Sequence, residues 1–251
     1  MNSALAALNR RFPNKRVFIT GGAGSMGLAM ARLLVEARWS VGIFDIDTAH
    51  LALAEATLGG LGPLLQAYPG DVTHMDEFTV AVNSFATTAG GLDVMVNCAG
   101  IGHQAPFAET ELATWRELLE TNVVGTVAGC RAALPHLLHN GRGVLLNVAC
   151  ATAFTSPPDA SAFSASKAAI VAMTETLMAE FRATDIQVSI ALPDMFGSEQ
   201  HSSPTYTAER AARDILATAG KGRSHIVVPA RARVLDLYKR LLPKQFSRRG
   251  R

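Results

Sequence analysis

Thr20-Gly21-Gly22-Ala23-Gly24-Ser25-Met26-Gly27 follows the apolar run Arg16-Val17-Phe18-Ile19 and leads straight into Leu28-Ala29-Met30-Ala31-Arg32-Leu33-Leu34. A buried strand, a glycine turn and a helix in that order open a βαβ unit. Glycines let the main chain approach a pyrophosphate, and the new helix points its positive end and free N–H groups at the same place. A glycine-rich turn alone is a weak signal; set between a strand and a helix, it points to dinucleotide binding.

Outward from this turn, short apolar runs alternate with helical patterns. The runs Arg16–Thr20, Ser40–Asp45, Leu64–Tyr68, Asp93–Asn97, Gly143–Ala149, Gln187–Leu192 and His225–Val228 read as strands. Val94-Met95-Val96 and Val144-Leu145-Leu146 are apolar at every position, as strands covered on both faces must be, and the segments between strands are long enough for right-handed crossovers. The expected class is therefore α/β: a Rossmann-like, doubly wound parallel sheet of about seven strands with helices on both faces. The 251 residues are 49% hydrophobic and no linker divides them, so a single domain over residues 1–251 is expected. Residues 193–208, rich in Ser, Pro and Thr and without strong periodicity, are expected to form a lid loop. No apolar run reaches the roughly 18 residues that a membrane span needs.

Cys98, Cys130 and Cys150 are scattered and stand in no metal-ligand spacing, which fits a reducing, cytoplasmic location and no metal site. His136 and His139 read as a helix-end pair, for want of a third ligand nearby. Residues 1–15 carry Arg10, Arg11 and Lys15 but no acid, and their Ala/Leu stretch reads as a frayed leading helix in preference to a targeting peptide. The net charge of +2 divides into +7 on residues 230–251 and −5 on the rest. Val234, Leu235, Tyr238, Leu241 and Leu242 share one side of that basic C-terminal helix and tail. Packing on the body is the favoured reading of it, and contact with an anionic membrane surface the alternative. Basic residues confined to one tail, without interleaved aromatic platforms, argue against nucleic-acid binding.

Asp45 ends the second strand, where a carboxylate can accept hydrogen bonds from adenosine ribose hydroxyls. With Asp47 it would repel a 2′-phosphate, and no Arg or Lys in Gly22–Met26 or directly after Asp45 would offset that, so NAD is expected over NADP. A helix N-cap aspartate is the other reading.

From Arg16 to Pro229 the chain resembles the short-chain dehydrogenase/reductase family. The family's Thr-Gly-x-x-x-Gly-x-Gly motif is matched by Thr20, Gly21 and Gly27, with Ser25 in place of the middle glycine and Met26 beside it. Asp45 and Ile46 then follow the second strand, Asp71-Val72 resembles the pair beside the adenine, and Asn97-Cys98-Ala99-Gly100 the Asn-Asn-Ala-Gly segment that steadies the sheet. Asn122 is similar to the helix asparagine that holds a water leading to the active-site lysine, and Lys167 to that lysine, which binds the nicotinamide ribose. Pro193-Asp194-Met195-Phe196-Gly197-Ser198 resembles Pro-Gly-x-Val-x-Thr, which places Pro193, Phe196 and Ser198 at the nicotinamide. The resemblance implies a small-molecule substrate and a homodimer or homotetramer built on the helices around Glu111–Leu138 and Ala160–Thr184.

The departures concern the chemistry. Four residues before Lys167, where the family has its tyrosine acid, stands Phe163, and thirteen residues before that, in place of the family's serine, stands Cys150. A benzene ring donates no proton and a thiol is a weak donor. His103, just beyond the Gly100-Ile101 turn, is the candidate replacement, its ring suited to proton transfer near neutral pH; Tyr206, His201 and Asp194 are further candidates. Phe154, Phe163, Met195 and Phe196 are expected to make the pocket apolar. Two functions follow: an NAD(H)-dependent oxidoreductase of an apolar alcohol or carbonyl compound with an atypical site, or a non-redox relative that binds NAD or a partner without hydride transfer.

Overall fold

The computed structural model describes residues 5–61, 63–194 and 206–229. Within them β1 (Arg16–Thr20), β2 (Ser40–Asp45), β3 (Leu64–Pro69), β4 (Val94–Asn97), β5 (Arg142–Val148), β6 (Asp185–Pro193) and β7 (His225–Val228) form one sheet in the order β3-β2-β1-β4-β5-β6-β7. Every pairing is parallel. The chain winds outward in one direction from β1 and then restarts at β4 on its other side, which opens a crevice between the carboxyl ends of β1 and β4.

Side-chain alternation along the strands fills two cores. Val17, Ile19, Val41, Ile43, Val94 and Val96 turn to one face, where α1 (Ala6–Arg11), α2 (Ser25–Glu36), α3 (Thr48–Leu58) and α9 (Ala208–Gly220) cover them through Leu8, Met30, Leu34, Leu51 and Ile215. Phe18, Phe44, Met95 and Leu145 turn to the other, against α4 (Met75–Ala89) and α6 (Gly125–His139). There Phe18 meets Phe85 edge-on at 5.6 Å between ring centroids. After the single turn α7 (Thr152–Thr155), α8 (Ser161–Glu180) lies against β6 on the same side through Ile170 and Leu177.

The leading helix is not frayed. Leu5, Leu8 and Phe12, spaced to share one face, are buried against α9 and Trp39, and Arg11 reaches Gln187 and the Ala219 carbonyl. At the amino end of the sheet, Arg16 and Asp93 form a buried, bidentate pair at 2.8 and 3.0 Å, and the Arg16 N–H donates to the same carboxylate at 3.0 Å. Opposite charges this well matched hold the start of β1 to the entrance of β4, leaving the carboxyl ends for the site. The basic tail 230–251 and most of the expected lid 193–208 lie outside the described residues.

Candidate cofactor and active site

A cleft of about 660 Å³ opens at the carboxyl ends of β1, β2 and β4, lined among others by Gly21, Ser25, Asp45, Asp71, Gly100 and Ile101. Gly21 has φ +66°, and a Cβ there would sit 2.8 Å from the Ala99 main chain. A Cβ at Gly27, in the first turn of α2, would lie 2.1 Å from the Gly21 carbonyl oxygen. Turn and helix therefore touch backbone to backbone. Gly24 is different: a side chain there would meet that oxygen at an ordinary 3.4 Å. It is also the N-cap of α2 and offers no side-chain cap, while the first turn holds no acid. The first N–H groups of α2, which a helix cannot satisfy internally, are thus left to an anion in the cleft. Exposed Ser25 begins this turn.

Two side chains hold the cradle in shape. Thr20 Oγ1 accepts from the N–H groups of Cys98 and Ala99, both at 3.1 Å, which ties the glycine turn to the end of β4. Asp45 accepts from Ala23 N at 3.0 Å and from Asp47 N at 3.1 Å, and each carboxylate oxygen keeps a further acceptor site. Asp47 caps α3 by accepting from His50 N and meets the His50 ring at 2.6 Å. This exposed pair holds the Asp47 carboxyl below its ordinary range and raises the pKa of His50.

The other end of the cleft depends on side chains. α5 (Leu112–Leu119) runs into α6 through a π-turn, Glu120–Val124, the kind of local distortion that recurs at functional sites. Asn122 lies in that turn, fully buried: Nδ2 donates to the Ile101 carbonyl and to Ser166 Oγ, and Oδ1 accepts from Ile101 N. Ser166 in turn donates to the Phe163 carbonyl. A Cβ on Gly100 would fall 2.8 Å from Asn122 Oδ1 and 3.0 Å from Lys167 Nζ, so both heads close over that glycine. Lys167 is 6% exposed, with its ammonium 5.5 Å from the centroid of the Phe163 ring. Among the described residues it has no ion-pair partner. Burial lowers its pKa, and the sulfurs of Cys150 and Cys98 act weakly in the opposite sense. Cys150 and Phe163 pack with Leu118 and Ala162 against Ile101 and Trp115, an apolar wall without a hydroxyl from either residue.

Residues 15–207 match the family model for short chain dehydrogenase. The chain belongs to the short-chain dehydrogenase family. It is 28% identical over 216 residues to 2-(S)-hydroxypropyl-CoM dehydrogenase 3 of Xanthobacter autotrophicus, covering 82% of this chain and 84% of that one. It is 30% identical over 187 residues to cis-4-hydroxycyclohexanecarboxylate dehydrogenase of Sinomonas cyclohexanicum, covering 74% and 75%. The fold is shared with the LigO apo form from Sphingobium sp. strain SYK-6, at TM-score 0.81 and 23% identity over 94% and 93% of the two chains. Dehydrogenases of this family use nicotinamide cofactors, and the cradle fits one, with small backbone-lined walls where phosphates belong and a carboxylate where a ribose belongs.

In this short-chain dehydrogenase the cleft gathers Gly21, Ser25, Met26, Gly27, Asp45, Ile46, Asp71, Val72, Ala99 and Gly100 from the expected cofactor set. Asn97 turns inward, donating to Asn147 Oδ1 at 2.8 Å and to Cys130 at 3.4 Å, so it braces β4 against β5. Pro193 ends β6, and its carbonyl accepts from Ala151 N at 3.0 Å beside Cys150. Phe196, Ser198, Met195 and His201 lie outside the described residues.

The proposed proton donors separate. His103, like Lys167 and Asn122, does not line the cleft wall directly; its Nε2 is buried without a hydrogen-bond partner among the described residues, and two residues on the Ala105 N–H donates to the Asp159 carbonyl at 2.8 Å. Tyr206 is buried under α9 and donates to Asp214 at 3.2 Å, and burial with that carboxylate raises its pKa well above the usual range. Asp194 is exposed. Phe154 packs against the buried cluster of Ala149, Ile170, Ile190, Leu192 and Val227, while Ile101, Trp115 and Leu118 pack with Phe163. Thr20 belongs to the glycine motif, but its bridge to Cys98 and Ala99 has no local signal, nor do the cleft-lining Glu117 and Thr121 or the packing of Trp115 beside Phe163. Among the described residues no cluster of His, Cys, Asp or Glu could hold a metal ion, and no helix is long and apolar enough to cross a membrane.

Proposed function

We propose that this chain is an NAD(H)-dependent oxidoreductase that interconverts an apolar alcohol and its carbonyl compound. The observation that carries this reading is one continuous cleft running from the uncapped α2 turn and Asp45 to Gly100, over which Lys167 and Asn122 close. The glycine turn would take the diphosphate, Asp45 the adenosine ribose, Asp71 and Val72 the adenine edge, and Lys167 the nicotinamide ribose. A bound nicotinamide supplies or accepts the hydride. Ile101, Trp115, Leu118 and Phe163 exclude water and favour an apolar substrate, and the two named relatives are dehydrogenases of hydroxylated compounds. Asp45 and Asp47 together disfavour a 2′-phosphate. Exposed Leu112 and Leu119 of α5, Val124 of the π-turn and Leu138 of α6 support a homodimer or homotetramer.

Fluorescence titration of the apo protein with NADH and with NADPH, followed by a panel of apolar ketones and aldehydes, tests this. Tight NADH binding, weak NADPH binding and NADH-dependent turnover are expected. The second reading, nucleotide binding without hydride transfer, draws on the apolar surroundings of Cys150 and Phe163. It requires NADH binding with no turnover by the wild type, and turnover appearing only in the Cys150→Ser, Phe163→Tyr double variant.

A further inference from the structure

We propose that Lys167 Nζ exchanges the proton with the substrate oxygen directly, in place of a hydroxyl acid; this rests on the oxidoreductase reading above. The lysine is placed for it. Its head lies above Gly100, whose main chain forms the cleft wall, and beside the face of Phe163, where a phenol would otherwise stand between amine and substrate. The groups around it are Cys98 after β4, Cys150 after β5, Asn122 in the π-turn and the Phe163 ring on its own helix. No carboxylate among the described residues pairs with it. An ammonium stripped of water and lacking a counter-charge gives up its proton more readily than one in solvent.

The other donors fall short. Burial pushes the Cys98 thiol up to about 11, Tyr206 is committed to Asp214, and the polar heads nearest a Cβ on the cleft-lining Gly100 are those of Asn122 and Lys167, not the buried ring of His103. Asn122 has no acidic proton, and its amide is engaged with Ile101 and Ser166. With a reduced nicotinamide bound, hydride would reach the carbonyl carbon and the C=O π pair would move onto oxygen. The oxygen then takes a proton from Nζ, breaking one N–H bond and forming the O–H bond. The neutral amine regains a proton from water. Oxidation reverses each transfer, with the neutral amine as base.

The test compares wild type with Lys167→Arg. Arginine keeps the positive charge and donors that hold a ribose but does not deprotonate near neutral pH. The expected result is retained NADH binding with turnover reduced by about 100- to 10,000-fold, the usual worth of a general acid or base. Independently of turnover, protein labelled with ¹⁵N at lysine Nζ is titrated by NMR, the Lys167 signal being the one missing from the variant. Its midpoint should lie below those of exposed lysines such as Lys221 and coincide with the midpoint of wild-type alcohol oxidation against pH. Lys167→Arg turning over like wild type, or a Lys167 midpoint among the exposed lysines, overturns the inference. So does loss of turnover in His103→Gln with Lys167→Arg still active. Wild type that binds NADH but reduces nothing removes the redox reading itself, a result distinct from equal turnover in wild type and variant. Should Lys167→Arg not fold, the Lys167 signal is assigned by elimination from single Lys→Arg variants of Lys15, Lys221, Lys239 and Lys244, and a midpoint that differs from that of wild-type alcohol oxidation overturns the inference.

Discussion

The glycine end of the cleft and its lysine end are built by different means. At the first, binding is written into the main chain: a positive φ at Gly21, backbone contact between Gly21 and Gly27, an uncapped helix start, and an aspartate fixed by two N–H groups. At the second, everything depends on which side chains stand over Gly100: a lysine, an asparagine, two thiols and a ring. Geometry held by backbone contacts survives side-chain exchange, as Ser25 illustrates. Chemistry held by single side chains changes with one substitution, as Phe163 illustrates.

The contrast breaks most sharply at Gly27→Ala, whose methyl group would collide with the Gly21 carbonyl at 2.1 Å. Saturable NADH binding should vanish, and urea unfolding should register about 1–3 kcal/mol of overpacking strain. Gly100→Ala attacks the other end, because its Cβ would displace the heads of Asn122 and Lys167. Turnover should fall about 100-fold, as expected for a displacement near 1 Å, with NADH affinity changed far less. Stopped-flow binding measured beside steady-state rates separates the two effects.

Asp45→Ala removes the proposed ribose acceptor and frees the Ala23 N–H. NADH should bind roughly ten- to a hundredfold more weakly, since hydrogen bonds to a charged group contribute about 1.5–3 kcal/mol; an unchanged dissociation constant would mean that the ribose lies elsewhere. A smaller effect comes from His50, whose pKa Asp47 raises. Below that pKa the ring carries a positive charge beside two carboxylates at the cleft edge, and above it the charge is lost. The preference for NADH over NADPH should therefore narrow severalfold from about pH 8 to about pH 6, and His50→Gln should flatten the trend. Gly24→Ala should change unfolding free energy least, within about 0.5 kcal/mol, because φ is −73° and the space is open. A large loss there would mean that Gly24, and not Gly27, sets the turn.

The sheet was legible because strands buried on both faces are apolar at every position; observed and expected ends differ by one or two residues, as where β6 begins at polar Asp185. The cofactor cradle was legible because glycine's steric role is local to a few consecutive residues. Long-range meetings were not. Nothing near Tyr206 announces that Asp214 will take its hydroxyl, nor near Trp115 that it will wall the space beside Phe163. Leu5, Leu8 and Phe12 resembled a loose end until α9 and Trp39 came round to cover them. Nothing near His103 announces that its Nε2 will be buried without a hydrogen-bond partner, or that the Ala105 N–H will reach the Asp159 carbonyl.

The π-turn at Glu120–Val124 also sets the clocking of α6. One residue beyond a regular α-helical turn rotates everything downstream by about 100°. That rotation decides which side of α6 meets the sheet, and it brings Ala128, Ala132 and Ala133 into the core while Leu138 faces outward. Loss of a single residue there would undo the polar grip of Asn122 and misalign a fifteen-residue helix at once, so binding-site geometry and core packing share one point of failure.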